Sequence, residues 1–282
     1  MEWIVKKDES GEKLLKFLSQ KVNGCSLKQL KRFLEAGSCT INGYAERFAS
    51  KIVYEGDKIA FQPAEKVALE SKLATFLKSR ILYEDEDLFI YDKPPGIASD
   101  GFKTKLLLIH RLDRETSGVL MFAKHEHARL LMIELFRQKL VKKHYLAVVD
   151  GVPKKNRGLV DNFLGKKHSF HGQAIYGAVP KEKGLHAVTE WKLEKVVKEH
   201  SLLSCYPKTG RAHQIRVHLS EMGYPILGDY QYCRQFHSAF KPKRCLLHAF
   251  KVKFIHPIKN INIEVEAKMP QDFLFQYEDI NS

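Results

Sequence analysis

The chain has 282 residues, with 47 basic against 33 acidic side chains, a formal charge of +14 at neutral pH, and 44% apolar and 11% aromatic residues. That length and apolar content suit one large domain beside a smaller one and exclude wholesale disorder. No apolar run approaches the ~18 residues of a membrane span, and Met1 to Asp8 hold no apolar signal core, so a soluble cytoplasmic protein is expected.

The five cysteines (Cys25, Cys39, Cys205, Cys233, Cys245) form no Cys-x-x-Cys pair, which argues against a disulfide framework or a zinc ribbon. Of the excess positive charge, residues 151–282 carry +9. A polyanion partner is the natural expectation, although a basic housekeeping protein would share this balance.

Residues 1–62 read as a compact module. Leu14, Leu15, Phe17, Leu18 and Val22 recur at helical spacing. A second stripe at Leu27, Leu30, Phe33 and Leu34 follows Ser26, with Gln29 completing a capping box and Gly37 placed to stop the helix. Asn42-Gly43 signals a hairpin, and Glu55-Gly56-Asp57 a turn between β-rich stretches at Ile52–Tyr54 and Lys58–Phe61. Lys28, Lys31 and Arg32 fall off the apolar stripe, giving a basic helix face suited to phosphate, which an ordinary solvated face would resemble. Residues 63–79 lose the pattern and read as a linker.

From residue 80 to 282 short β-rich runs dominate: Leu88–Tyr91, Gly118–Ala123, Tyr145–Val149, Ala187–Leu193, Leu202–Cys205, Leu246–Phe254 and Ile261–Val265. Helical periodicity interrupts them at His125–Lys139 and Ala212–Met222. The expected class is α+β (mixed α/β), with a large mixed, mostly antiparallel sheet and a small α/β module in front.

Two polar clusters could carry chemistry. His110-Arg111-Leu112-Asp113-Arg114-Glu115-Thr116-Ser117-Gly118 is a loop leading into a strand, where Arg111 and Arg114 flank Asp113 and favour its ionised form; such a carboxylate can act as nucleophile or base, or serve a structural ion pair. Thr209-Gly210-Arg211-Ala212-His213-Gln214-Ile215-Arg216-Val217-His218 runs from a turn into a helix that sets Arg216 beside the apolar face. An arginine that points inward from there needs a carboxylate, for which Asp113, Glu115 and Asp229 are candidates; a surface-facing Arg216 is the alternative. Phosphate-loop and dinucleotide fingerprints are missing, and His213 with His218 lacks the glutamate of a zinc-protease helix, so no metal is implied.

These residues resemble the RluA family of RNA pseudouridine synthases. The His110–Gly118 loop is similar to the family signature, and three further segments agree in order: Asp92-Lys93-Pro94-Pro95-Gly96, Lys143-His144-Tyr145 through Gly151, and Thr209 through His218 continuing to Asp229. The resemblance covers residues 80–268. The first module is similar to the RNA-binding domain of the ribosomal protein S-four type.

The resemblance implies Asp113 as the nucleophile that detaches a uracil so that it rejoins its ribose through carbon. It implies Tyr145 packing on the extruded base, and Arg216 holding the aspartate charged and oriented. Arg111 would fill the gap left in the RNA, while Lys28, Lys31, Arg32, Arg211 and His213 would bind RNA. No cofactor or metal is needed, and a monomer is expected. Only Ile97 to Ile109 separate Gly96 from His110, shorter than is usual in the family, and the histidine that often follows Pro-Pro-Gly is missing. Both differences bear on target choice. Large-subunit ribosomal RNA is the expected substrate; a tRNA synthase and a non-catalytic RNA-binding or ribosome-assembly factor are the alternatives.

Overall fold

The computed structural model describes residues 1–63, 74–170, 173–233, 235–240 and 242–273, which fall into two compact units. Most of the expected linker at 63–79 lies outside the described residues. No helix among the described residues is long and apolar enough to cross a membrane.

The N-terminal unit packs α1 (Leu14–Lys21) and α2 (Leu27–Glu35) on a sheet of β1 (Glu2–Ile4), β2 (Cys39–Ile41), β3 (Tyr44–Ala45) and β4 (Lys58–Phe61), ordered β1-β4-β2-β3. Leu14, Phe17, Leu18, Leu30, Leu34 and Phe61 are fully buried between them. At the start of α2 the capping box forms as the spacing predicts: Ser26 Oγ accepts from Gln29 N, and Gln29 Oε1 accepts from Ser26 N. Asn42 and Gly43 both take positive φ in the β2–β3 turn.

Two expectations fail in this unit. No strand forms at Ile52–Tyr54, which retains only a bridge from Ile52 to Lys13. The adjacent backbone instead serves the open end of α1, where Leu14 N donates to Lys51 O and Leu15 N to Ala49 O. Leu27, expected on the apolar stripe, is 58% exposed at the first turn of α2. Strand β1 gave no sequence signal because three residues are too few for a period; it is held by antiparallel pairing with β4.

The larger unit is built on an eleven-stranded sheet among the described residues, ordered β11-β10-β12-β13-β9-β14-β8-β6-β5, with β15 on β14 and β7 on β8. Its strands are β5 (Ile81–Glu84), β6 (Leu88–Lys93), β7 (Leu107–Leu108), β8 (Ser117–Ala123), β9 (Lys142–Asp150), β10 (Arg157–Phe170), β11 (Gln173–Ala178), β12 (Leu185–Val197), β13 (His200–Pro207), β14 (Leu247–Ile255) and β15 (Asn262–Glu266). The β8–β14 pair is parallel, while the other registered pairs are antiparallel, so the sheet is mixed and mostly antiparallel as expected. Strands β5, β7, β10 and β11 were not foreseen. In β10 the glycines and lysines hide the alternation, and pairing with β12 orders it.

Helix α3 (Glu126–Arg137) and helix α4 (Gln214–Glu221) complete the unit. The six residues Gln214 to Leu219 of α4 are all buried. A helix covered on every side needs its polar groups satisfied. Gln214 bonds Thr209, Arg211 N, Val188 O and Thr189, and His218 bonds Thr189 and Asn162.

Candidate active site

Asp113 sits within the loop that feeds β8, and that loop is clamped from three sides. Ser99 Oγ donates to Leu112 O at 2.9 Å and accepts from Leu112 N at 2.8 Å. Lys93 Nζ, fully buried, donates to the carbonyls of Pro94, Ile97 and Arg114. Arg244 Nη1 reaches Glu115 O at 3.2 Å. The residues on either side of Asp113 are therefore fixed through their backbone, which aims the carboxylate without touching it.

Gly118, the second residue of β8, is glycine for a steric reason. Its φ is +106°, and a Cβ there would stand 2.1 Å from Ala249 O on the parallel neighbour β14. Only glycine meets both conditions.

Opposite the loop, α4 brings up Arg216, whose guanidinium joins four acceptor atoms. Nη1 donates to Asp113 Oδ2 at 3.0 Å. Nε and Nη2 grip Asp229 in a fork, each at 2.7 Å, and Nη2 also reaches Gln231 Oε1. The guanidinium carbon lies 5.0 Å from the centre of the Tyr232 ring. Burial works against the Arg216 charge, but the Asp229 carboxylate outweighs it and holds the pKa well above the ordinary arginine value. Arg216 is thus a fixed cation, with one arm left for Asp113.

His213 precedes α4 with a left-handed backbone, φ 54° and ψ 19°, an uncommon conformation for a residue with a Cβ, costing about 1–2 kcal/mol. Its ring stands between the Tyr232 hydroxyl, 2.7 Å from Nδ1, and Asp113 Oδ1, 3.8 Å from Nε2. Burial and the nearby Arg216 lower its pKa, which favours the neutral ring. Tyr145, half-buried on β9, has its phenol pushed upward by burial and by the Asp113 charge, and it presents a neutral ring to the cleft.

Asp113, Tyr145, Arg216, Arg111, Arg211 and His213 all line one cleft, with Leu112, Pro207, Ile215 and Leu247 supplying apolar wall. A negatively charged oxygen, an aromatic face, and a rim of cations around an apolar slot can receive a flat, polar, anion-linked ring. Arg111 and Arg114, expected to flank the aspartate electrostatically, turn elsewhere: Arg111 lies 3.5 Å from Asp100, and Arg114 donates to Gly96 O. The cation that meets Asp113 comes instead from 103 positions downstream. Lys28 and Lys31 are exposed on α2 and Arg32 is half-buried there, in the other unit.

Several contributors escaped the sequence reading. Asp229 was one of three candidate partners, whereas Gln231, Tyr232, Ser99 and Arg244 carried no signal beyond their residue type. His110 opens the signature loop yet is structural: it accepts from Met121 N, and burial lowers its pKa to about 4.

Asp85, Asp87 and His256 form the one group with metal-ligand spacing among the described residues. The His256 ring argues against an ion there. Its Nδ1 accepts from Ile258 N and Lys259 N, which puts the ring proton on Nε2, the nitrogen facing the two carboxylates.

The family model for RNA pseudouridylate synthase matches residues 87–221. The chain is 32% identical over 288 residues to an uncharacterized RNA pseudouridine synthase of Synechocystis, across 93% of this chain and 87% of that one. It is 32% identical over 301 residues to ribosomal large subunit pseudouridine synthase C of Buchnera aphidicola (subsp. Schizaphis graminum), across 96% and 94% of the two chains. Human RNA pseudouridylate synthase domain containing 4 superposes with a TM-score of 0.59 at 26% identity, over 71% of this chain and 92% of that structure.

Proposed function

The chain belongs to the RNA pseudouridine synthase family, and on that premise we propose that it isomerises uridine in large-subunit ribosomal RNA with Asp113 as nucleophile, Tyr145 as base platform and Arg216 as the group that orients Asp113. The observation that carries the residue roles is the 3.0 Å contact between Arg216 and Asp113 inside a cleft that Tyr145 also lines. In the reaction the N1–C1′ bond breaks, a C5–C1′ bond forms, and the C5 proton leaves as N1 gains one, so the product is an isomer and no co-reactant is needed.

Arg216 can hold the carboxylate in place throughout because Asp229 keeps the guanidinium charged and immobile. An aromatic ring at 145 replaces the stacking that an extruded base loses. Arg111, 72% exposed at the cleft mouth, suits insertion into the vacated RNA stack. Arg211 and His213 complete the RNA side of the cleft.

Large-subunit ribosomal RNA is favoured over tRNA by the likeness to the Buchnera synthase and by the N-terminal module, which we read as an RNA grip using Lys28, Lys31 and Arg32. We propose further that it acts as a monomer in the cytoplasm. Mapping pseudouridine in ribosomal RNA and tRNA from cells with the protein, without it, and with Asp113→Asn tests this reading. The expected result is one or a few large-subunit sites lost in both deficient cells. Loss confined to tRNA would transfer the assignment to tRNA, and unchanged maps would refute it.

A further inference from the structure

Lys143 is a half-buried cation to which the chemistry above gives no task. It stands on β9 two residues before Tyr145, so the strand's alternation sends both side chains to the same face, about 6.7 Å apart along the strand. Both line the cleft. That spacing is close to the distance between a nucleotide's base and its own phosphate.

Among the described residues Lys143 meets no carboxylate; its hydrogen-bond partner is a neutral carbonyl, Thr209 O, at 2.9 Å. An ammonium carries three donors, so two remain unused. Arg211 is in the same condition: its Nε donates to His186 O, and it pairs with no carboxylate among the described residues. Gly210 precedes Arg211 in the chain, and a Cβ added at Gly210 would have Lys143 Nζ, at 3.9 Å, as its only neighbour within 4 Å beyond the adjoining residues. Burial and the Arg211 charge push the Lys143 pKa down to about 8.

We propose that Lys143 and Arg211 form the seat of an RNA phosphodiester flanking the extruded nucleotide, anchoring the strand while the base rests on Tyr145. This rests on the reading of the cleft as the site of uridine isomerisation, and it adds a binding role distinct from the Asp113 chemistry. A phosphodiester oxygen between the two cations would replace water as their partner and relieve their mutual repulsion.

The test is binding of single-stranded octauridylate to the full chain at several KCl concentrations. Lys143→Met is expected to bind about tenfold more weakly and to lower the slope of log K against log salt by about 0.7, the increment for one phosphate contact on a single strand. Lys143→Arg is expected to keep the wild-type slope. A role limited to holding the Thr209 carbonyl would lower the melting temperature of Lys143→Met and leave the slope alone, which overturns the proposal. Arg211→Met, on an exposed residue, provides the same slope readout if Lys143→Met fails to fold; a wild-type slope there overturns it too. Turnover by Asp113→Asn would remove the assigned nucleophile without moving these slopes. An unchanged slope beside an inactive Asp113→Asn would refute the phosphate seat alone.

Discussion

The two units are held together over very different distances in sequence. In the N-terminal unit the features that set the shape are largely local: Ser26 and Gln29 cap a helix from three residues apart, and Asn42-Gly43 turns a hairpin within four. In the larger unit the decisive contacts are remote, with Arg216 reaching Asp113 across 103 positions, Arg244 reaching Glu115 across 129 and His248 meeting Ser117 across 131. Local devices each add a small increment to an element that tertiary packing also supports. A remote contact closes a long loop, so its loss releases both partners at once.

The sharpest way to break that contrast is Asp113→Asn, expected to lower the isomerisation rate more than about a thousandfold while octauridylate affinity stays within a factor of two, as measured by tritium release and filter binding. Asp229→Asn comes next. It removes the partner that keeps Arg216 charged in a buried site, so a stability loss of about 3–5 kcal/mol is expected in urea denaturation, along with loss of activity. Gly118→Ala should cost about 3 kcal/mol or more, read as a fall in thermal midpoint, because the new Cβ has no room against Ala249 O.

A pH titration sharpens the comparison further. Burial lowers the Lys93 pKa to about 8 from 10.5, so between those values the unfolded chain holds the extra proton and the native state does not. Stability of the wild type relative to Lys93→Met is therefore expected to rise from pH 8 to 10.5 and to stay flat below pH 8, as followed by denaturant midpoints. The smallest effect belongs to Ser26→Ala: a loss of about 1 kcal/mol in stability, with isomerisation unchanged on a minimal substrate.

Legibility followed the same division. The helix pair, the capping box and the Asn-Gly turn were readable because their signals lie within a few residues of one another. The strand expected at Ile52–Tyr54 failed as the backbone just before it, Ala49 O and Lys51 O, was taken up by the start of α1, a demand made by residues more than thirty positions earlier. In the cleft, Asp113, Tyr145 and Arg216 were marked by their motifs. Ser99, Lys93 and Arg244, which hold the Asp113 loop by its carbonyls and amides, were not marked as anchors, since a bond to backbone leaves no signature in residue type.

By itself the amino-acid order determined the class of the fold, the helices of the first unit, the basic balance and the residue types available for chemistry, since composition and short-range periodicity act before any long loop has closed. Only the tertiary structure decided which cation meets Asp113. Arg111 and Arg114 are its neighbours in the chain yet face Asp100 and Gly96, while Arg216 is placed by a helix buried on every side and neutralised by Asp229. A guanidinium removed from water must find carboxylates wherever the packing leaves them, and that is a property of the folded interior rather than of any stretch of sequence.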